Sequence, residues 1–144
     1  MRSLQAGLGI APFGIPGWEL SGDGTPLVAR CLILDDGGTR FALLSSTHLA
    51  MWQPEATLVR QAVSDAIDLP LGRVLLAATH IHSGPPVLSP DSEARLTIAR
   101  HIAAAAAEAA RSASALQPAC LGWATAHLPG VSRVRRILRR DGTV

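Results

Sequence analysis

The sequence predicts an α/β fold, in which a mixed β-sheet of about six strands carries two main helices. Apolar segments of strand length alternate with two segments of helical periodicity, which is the pattern of an α/β layered fold. An Asp-Asp-Gly-Gly turn joins two of the strands as an antiparallel hairpin, so the sheet contains both strand directions. A chain of 144 residues that is 48% hydrophobic suits one domain, residues 1–144, with a single core.

The first third of the chain supplies a short strand, a loop and the hairpin. Leu4–Ile10 is a strand candidate, and residues 11–26 after it are rich in Gly and Pro, which favours a loop. Leu27–Leu34 and Arg40–Ser46 are apolar segments of strand length. Asp35-Asp36-Gly37-Gly38 separates them, and its two glycines readily adopt the positive φ angles of a tight hairpin turn.

The middle of the chain predicts a helix followed by a buried strand. Gln53–Ile67 has apolar residues at helical spacing, and Pro54 suits the first helical position, where its missing N–H costs nothing. We expect this helix to end before Pro70, because the residue that precedes a proline disfavours helical geometry. Arg73–Thr79 is rich in Leu and Val and is predicted to form a buried strand.

A second, longer helix is predicted to begin near Ser89 and to run to about Ala115. Ser89 would cap it, Pro90 would open it, and Asp91 and Glu93 would occupy the first turn. Residues on one face of this helix are mostly small and should allow close approach to a sheet, and they are Ala99, Ile102, Ala103, Ala106, Ala110 and Ala113.

Two further strand candidates, Ala119–Ala126 and Val131–Leu138, complete the order β-ββ-α-β-α-β-β. The last four residues, 141–144, combine a turn signal with the start of a strand that no partner follows. This pattern is typical of an interrupted chain, so we expect the domain to be incomplete.

Composition limits the classes of function. The formal net charge is only +2, which argues against a chain that binds polyanions over its whole surface. The N-terminus has no apolar segment of signal-peptide length, which favours a cytoplasmic location, and charges bound the Ala-rich segment too closely for a membrane span. Cys31 and Cys120 are expected to be small buried residues with free thiols.

His80 and His82 are the strongest candidates for chemistry. Side chains at positions i and i+2 of an extended segment point the same way, so both imidazoles should project together while Ile81 faces the core. Two such neutral imidazoles can bind Zn²⁺, although two ordinary hydrogen-bonded histidines explain the pair equally well. Zinc needs a third protein ligand, and the local candidates, for which a surface or hydrogen-bonded role is favoured, are His48, His101 and His127.

The segment from Leu75 to Pro85, LLAATHIHSGP, is similar to the "ATHTHSGP" motif of the neutral/alkaline non-lysosomal ceramidase family. Three other segments resemble motifs of that family in the same order. Ala6-Gly7 with Ala11-Pro12 resembles "AG…DITP", residues 26–37 resemble "DPLYARALVLDDG", and residues 131–136 stand where the family has "V-x-x-NRR". The resemblance covers nearly the whole chain and implies the N-terminal portion of a ceramidase-type catalytic domain.

The resemblance implies that His80 and His82 are zinc ligands, and that a later His, a Glu and a Tyr from a longer chain complete the site. It further implies that the zinc activates a water for attack on the amide of an N-acyl sphingoid base, so a lipid-like amide is the expected partner. Arg135 matches an arginine of the "NRR" motif that helps to hold the site, a role that suits a planar guanidinium fork.

Four positions depart from the family's pattern. Val134 replaces the Asn of "NRR", Ile81 replaces the middle Thr of the histidine motif, and Ala11 replaces the opening Thr. An Asp expected near Thr47 is absent. The missing Asn and Asp belong to the kind of group that orients metal ligands, so the surroundings of the site should differ from those in the family.

These observations predict a zinc-dependent, ceramidase-like amidohydrolase that is truncated and weakly active or inactive alone. The alternative is a non-enzymatic domain that binds phosphates or anionic lipid headgroups through a basic cluster, namely Arg133, Arg135, Arg136, Arg139 and Arg140. Nucleic acid is not an expected partner, because this cluster has no aromatic residues for base stacking. A nucleophilic Ser83 is disfavoured, because Ser83 lacks the Gly-x-Ser-x-Gly elbow.

Overall fold

The computed structural model describes residues 3–18, 24–130 and 139–143, and a five-stranded mixed sheet lies at its centre. Its strands are β1 (Gln5–Pro12), β2 (Val28–Asp35), β3 (Arg40–Ser46), β4 (Val74–Ala78) and β5 (Gln117–Pro118). They lie in the order β4-β3-β2-β1-β5, with β3 and β4 parallel and all other neighbours antiparallel. The predicted fold class is confirmed, although the described residues form five strands where about six were predicted.

The hairpin of β2 and β3 forms as predicted, and its turn is held by aspartate side chains. A carboxylate oxygen of Asp35 accepts from the backbone N–H of Gly37 at 2.7 Å, and Asp36 accepts from the N–H groups of Gly38 and Thr39. Gly37 has a φ of 77°, which glycine adopts without strain. These hydrogen bonds join residues two or three positions apart, so the local sequence is enough to predict the hairpin.

Two helices pack on the sheet, and both begin slightly later than predicted. The first, α1, spans Glu55–Ile67 and is preceded by Pro54, while the second, α2, spans Ser92–Ala113. Asp91 rather than Ser89 caps α2, because its carboxylate accepts from the N–H groups at the start of the helix, whereas the Ser89 hydroxyl accepts from the N–H of Asp91 itself.

The alanine-rich face of α2 lies against the sheet, as predicted, and every residue named for that face is buried. Two glycines of β1 make the close approach possible. A Cβ added at Gly9 would lie 1.9 Å from the carbonyl oxygen of Ala109, and one at Gly7 would lie 1.8 Å from that of Ala113. The backbone of β1 is therefore in contact with the backbone of α2.

Strand β4 was predicted as a buried strand over Arg73–Thr79, and this is wrong for most of its length. Val74 is buried, but Leu75 is 63% exposed and Ala77 and Ala78 are exposed as well. These residues are exposed because β4 lies at the edge of the described sheet, where it pairs only with β3 and helices cover only one of its faces.

The predicted strand over Ala119–Ala126 is also wrong. Strand β5 is limited to two residues that pair with Gln5 and Ala6, and the chain beyond it lies exposed, with Trp123 at 91%. Cys31 is buried as predicted, and burial raises the pKa of its thiol to about 11, whereas Cys120 is exposed, contrary to the prediction. The Val131–Leu138 candidate lies outside the described residues.

No helix of the described residues combines the length and the apolar character needed to cross a bilayer.

Gly9→Ala is expected to lower the free energy of unfolding by about 3 kcal/mol, because the new methyl group would displace the backbone of α2. Gly72→Ala is the matched control, since a Cβ there meets nothing within 4 Å, and we expect it to stay within about 0.5 kcal/mol of the wild type. Urea unfolding followed by circular dichroism measures both. Equal midpoints for the two variants would contradict the contact.

Candidate metal centre

The parallel pairing of β3 with β4 brings two chemically interesting segments to one edge of the sheet. Ser46 and Ala78, the last residues of these strands, are in register, so the segments that follow them leave the sheet side by side. The N–H of Thr79 donates to the carbonyl of Ser46 at 3.1 Å, and the N–H of His80 donates to that of His48 at 3.0 Å. The segment after β3 thus supports the segment that carries His80 and His82.

The ring of His80 is held by a backbone carbonyl. Its Nδ1 lies 2.8 Å from the carbonyl oxygen of Leu49. A carbonyl oxygen can only accept, so Nδ1 carries the proton and donates, which leaves the lone pair of the neutral ring on Nε2. His80 is exposed and has a φ of 63°, a left-handed conformation in which a residue other than glycine is uncommon.

The rings of His80 and His82 are neighbours, with centroids 5.0 Å apart and planes nearly perpendicular at 89°. Both residues are exposed, while Ile81 between them is partly buried against the core, as predicted. The backbone route differs from the prediction, because β4 ends at Ala78 and the pair lies on the following loop rather than on an extended strand. The left-handed turn at His80, not strand alternation, sets the relation of the two rings.

His48, a candidate third ligand, is fully buried. Its Nδ1 lies 2.6 Å from the hydroxyl oxygen of Ser46, and its Nε2 has no hydrogen-bond partner among the described residues. Burial lowers the pKa of His48 to about 4, and a hydrogen bond to the backbone of Ser46 opposes this shift only in part. The ring is therefore neutral at pH 7, and the Ser46–His48 pair is closed to solvent.

The other sequence candidates do not join the two histidines. His101 lies within α2, and His127 is exposed on the segment beyond β5. Within residues 3–18, 24–130 and 139–143, no three His, Cys, Asp or Glu side chains come close enough to hold a metal ion together. Arg135 lies outside the described residues, as do Arg133 and Arg136, so the basic cluster is described only at its exposed members Arg139 and Arg140.

A partly buried ion pair, which the sequence analysis missed, holds the loop after His82. The Nε of Arg95 lies 2.8 Å from Oε1 of Glu55, and an Nη1 donor of the same arginine bonds to the carbonyls of Ser89 and Pro90. The N–H of Glu55 itself, and then the guanidinium of Arg95, hold the pKa of the Glu55 carboxyl below its usual value. The contact joins residues 40 positions apart, so no local pattern in the sequence signals it.

A cavity of about 830 Å³ lies beside His80 and runs along β4. Its walls are mostly apolar and include Leu49, Met51 and Ala56. Arg60 also lines the cavity. It donates from Nε to the carbonyl of Val74 and from Nη2 to the carbonyl of Leu71. Nδ1 of His80 is thus occupied by a backbone carbonyl, while the residue as a whole is exposed and lines the cavity.

The fold resembles that of two solved ceramidase structures. One is neutral ceramidase from Pseudomonas aeruginosa, with a TM-score of 0.60 and 22% sequence identity, and the other is a ceramidase complexed with C2, with a TM-score of 0.54 and 21% identity. The similarity covers 82% of this chain in each case, and the chain spans about 22% of the length of each of those proteins. The chain therefore has a partial ceramidase-like fold.

No protein-family model matches the sequence, and no curated protein matches it.

Lowering the pH from 7 to 5 is expected to remove about 2 kcal/mol of stability through His48. The unfolded chain takes up a proton near the ordinary histidine pKa of 6.5, whereas folded His48 stays neutral down to about 4. Between pH 6.5 and about pH 4 the unfolded state binds more protons than the folded state. The contribution of His48 to stability is therefore complete above pH 6.5 and decreases as the pH falls. Urea unfolding in EDTA at the two pH values measures this loss of stability for the wild type and for His48→Gln. An equal loss in both would contradict the assignment.

Proposed function

We propose that this chain forms part of a ceramidase-like hydrolase that acts on the N-acyl amide of a sphingoid lipid or a related linear amide, and that His80 and His82 bind its zinc ion. The observation that carries the proposal is the pair of adjacent, exposed imidazoles, one of them fixed by a backbone carbonyl, on a partial ceramidase-like fold. The substrate class rests on the resemblance of the histidine motif and of the fold.

The donor set suits zinc. With Zn–N bonds of about 2.1 Å in a tetrahedral arrangement, two imidazole centroids stand about 5 Å apart, close to the 5.0 Å found for His80 and His82. Metal-bound histidines almost always donate their second ring N–H to a carbonyl or carboxylate, and Nδ1 of His80 donates to Leu49 in this way. This bond orients the ring and raises the basicity of Nε2.

The surrounding residues would hold the two ligands in place. The carbonyl of His48 accepts from the N–H of His80, Ile81 anchors the loop in the core, and Arg95 ties the following loop to α1. A bound zinc ion supplies Lewis-acid polarisation of the amide carbonyl and lowers the pKa of water. The mostly apolar cavity beside His80 offers space for the aliphatic part of a lipid-like amide.

The proposal requires at least one more protein ligand, because zinc sites in proteins use three or four. The described residues do not supply it, so it would come from elsewhere in a longer or assembled protein. Arg135 is proposed to contact the substrate or a neighbouring carboxylate, as its resemblance to the family's arginine implies. Neither similarity supports the alternative of an anion-binding domain.

Replacing either histidine is expected to weaken zinc binding at least about tenfold, since each change removes one of two ligands. Apparent affinities of the metal-free chain for Zn²⁺ are measured by competition with a chromophoric chelator for the wild type, His80→Ala and His82→Ala. His127→Ala is the matched control, because His127 is an exposed histidine away from the pair, and it should bind zinc as the wild type does. Equal binding by His80→Ala and the wild type would remove the metal assignment.

The purified 144-residue chain is expected to show little or no amidase activity with zinc present, because two ligands do not complete a catalytic site. The measurement is hydrolysis of a fluorescent ceramide, with and without chelator, against buffer alone. Zinc-dependent release of the fatty acid above the buffer rate would contradict this expectation and would mean that the chain contains the whole site.

A further inference from the structure

The end of β3 and the residues after it, 46–49, here called the support segment, are bonded to the core at several points. The hydroxyl of Thr47 accepts from the N–H of Val28 and donates to its carbonyl, and the N–H of Thr47 donates to the same carbonyl at 3.0 Å. The N–H of His48 donates to the carbonyl of Ser46, and the side chains of this pair are joined at 2.6 Å. These bonds give the support segment little freedom to move.

The support segment holds both the backbone and the ring of His80. The carbonyl of His48 accepts from the N–H of His80 at 3.0 Å, and the next carbonyl, that of Leu49, accepts from Nδ1 of the His80 ring at 2.8 Å. His48 is fully buried and directly precedes Leu49. An imidazole fixed in the core at position 48 therefore limits the movement of the carbonyl that orients His80.

Two features that cost stability coincide at this contact. Nε2 of His48 is buried without a hydrogen-bond partner in the part of the chain that the structure describes, and His80 has a left-handed φ of 63°. Strained residues of this kind cluster at functional sites. An apolar side chain at position 48 would fill the core without an unpaired nitrogen, so packing alone does not explain the imidazole.

We propose that His48 is a positioning residue for His80. Its ring, bonded to Ser46, fixes the carbonyl of Leu49, and this carbonyl keeps the proton of the neutral His80 ring on Nδ1 and leaves the lone pair on Nε2. Without that carbonyl the ring would rotate and adopt the Nε2–H tautomer that an unrestrained imidazole favours, in which Nε2 cannot bind a metal ion. The consequence for zinc rests on the proposed function, whereas the effect on the ring does not.

The test is the tautomer of His80 in the zinc-free chain, determined from the nitrogen chemical shifts of its ring by NMR at about pH 8, above the ordinary histidine pKa. In the wild type, Nδ1 should have the shift of a protonated nitrogen and Nε2 that of an unprotonated one. His48→Leu removes the bond to Ser46 and should move both shifts towards a tautomer average. His48→Asn should restore the wild-type shifts, because the Asn amide can reach Ser46 as Nδ1 does.

Ser46→Ala removes the same bond from its other partner and should act on the His80 shifts as His48→Leu does. Ser64→Ala is the matched control, because Ser64 is another buried serine, whose hydroxyl donates to the carbonyl of Leu69 after α1. This variant also loses a buried hydrogen bond, but it should keep the wild-type shifts of His80. It thereby separates positioning from a general loss of stability.

Zinc affinity, measured by chelator competition, distinguishes this role from the proposed function. His48→Leu should raise the Kd for Zn²⁺ at least about tenfold, whereas His48→Asn and Ser64→Ala should stay within about threefold of the wild type. The positioning role is overturned by a wild-type His80 in the Nε2–H form, by unchanged shifts in both His48→Leu and Ser46→Ala, by equal changes in Ser64→Ala, or by a failure of His48→Asn to restore them. If His80→Ala binds zinc as the wild type does, the zinc site fails, and the His80 shifts still decide the positioning role.

Discussion

Strand β4 returns to the sheet through α1 and pairs in parallel with β3, and the candidate centre depends on this pairing. Parallel strands end at the same edge, so the segments after Ser46 and Ala78 meet and exchange backbone hydrogen bonds. The carbonyl of Leu49 reaches the ring of His80 only because of that meeting. An antiparallel β4 would place its last residue at the opposite edge, away from this carbonyl.

A second constraint lies at the other side of the sheet, where β1 meets α2. Strand and helix approach so closely that Gly7 and Gly9 have no room for a side chain beneath the helix carbonyls. Alanines on the facing side of α2 contribute little volume of their own, so the contact depends on closeness rather than on large interlocking side chains. Leu27 and Ile102 are among the largest fully buried side chains of the core.

Local signals in the sequence determine the features that were predicted correctly, and contacts between distant residues determine most of those that were not. The hairpin follows from its Asp and Gly residues, and the buried face of α2 follows from helical periodicity. The edge position of β4 depends on strand order, which an apolar segment does not encode. The short β5 pairs with Gln5 and Ala6, more than 100 residues earlier in the chain, and the bond from His80 to Leu49 spans 31 residues.

Arg60 has a consequence for the behaviour of the protein at high concentration. The outer edge of β4 belongs to a short, uncharged segment rich in Leu and Ala, the kind of edge on which further strands can stack into fibrils. The guanidinium of Arg60 occupies the carbonyls of Val74 and Leu71 at the start of this edge and places a positive charge beside it. A strand added at this edge would have to displace those bonds and bury that charge, so the arginine that α1 supplies disfavours strand addition at the start of β4.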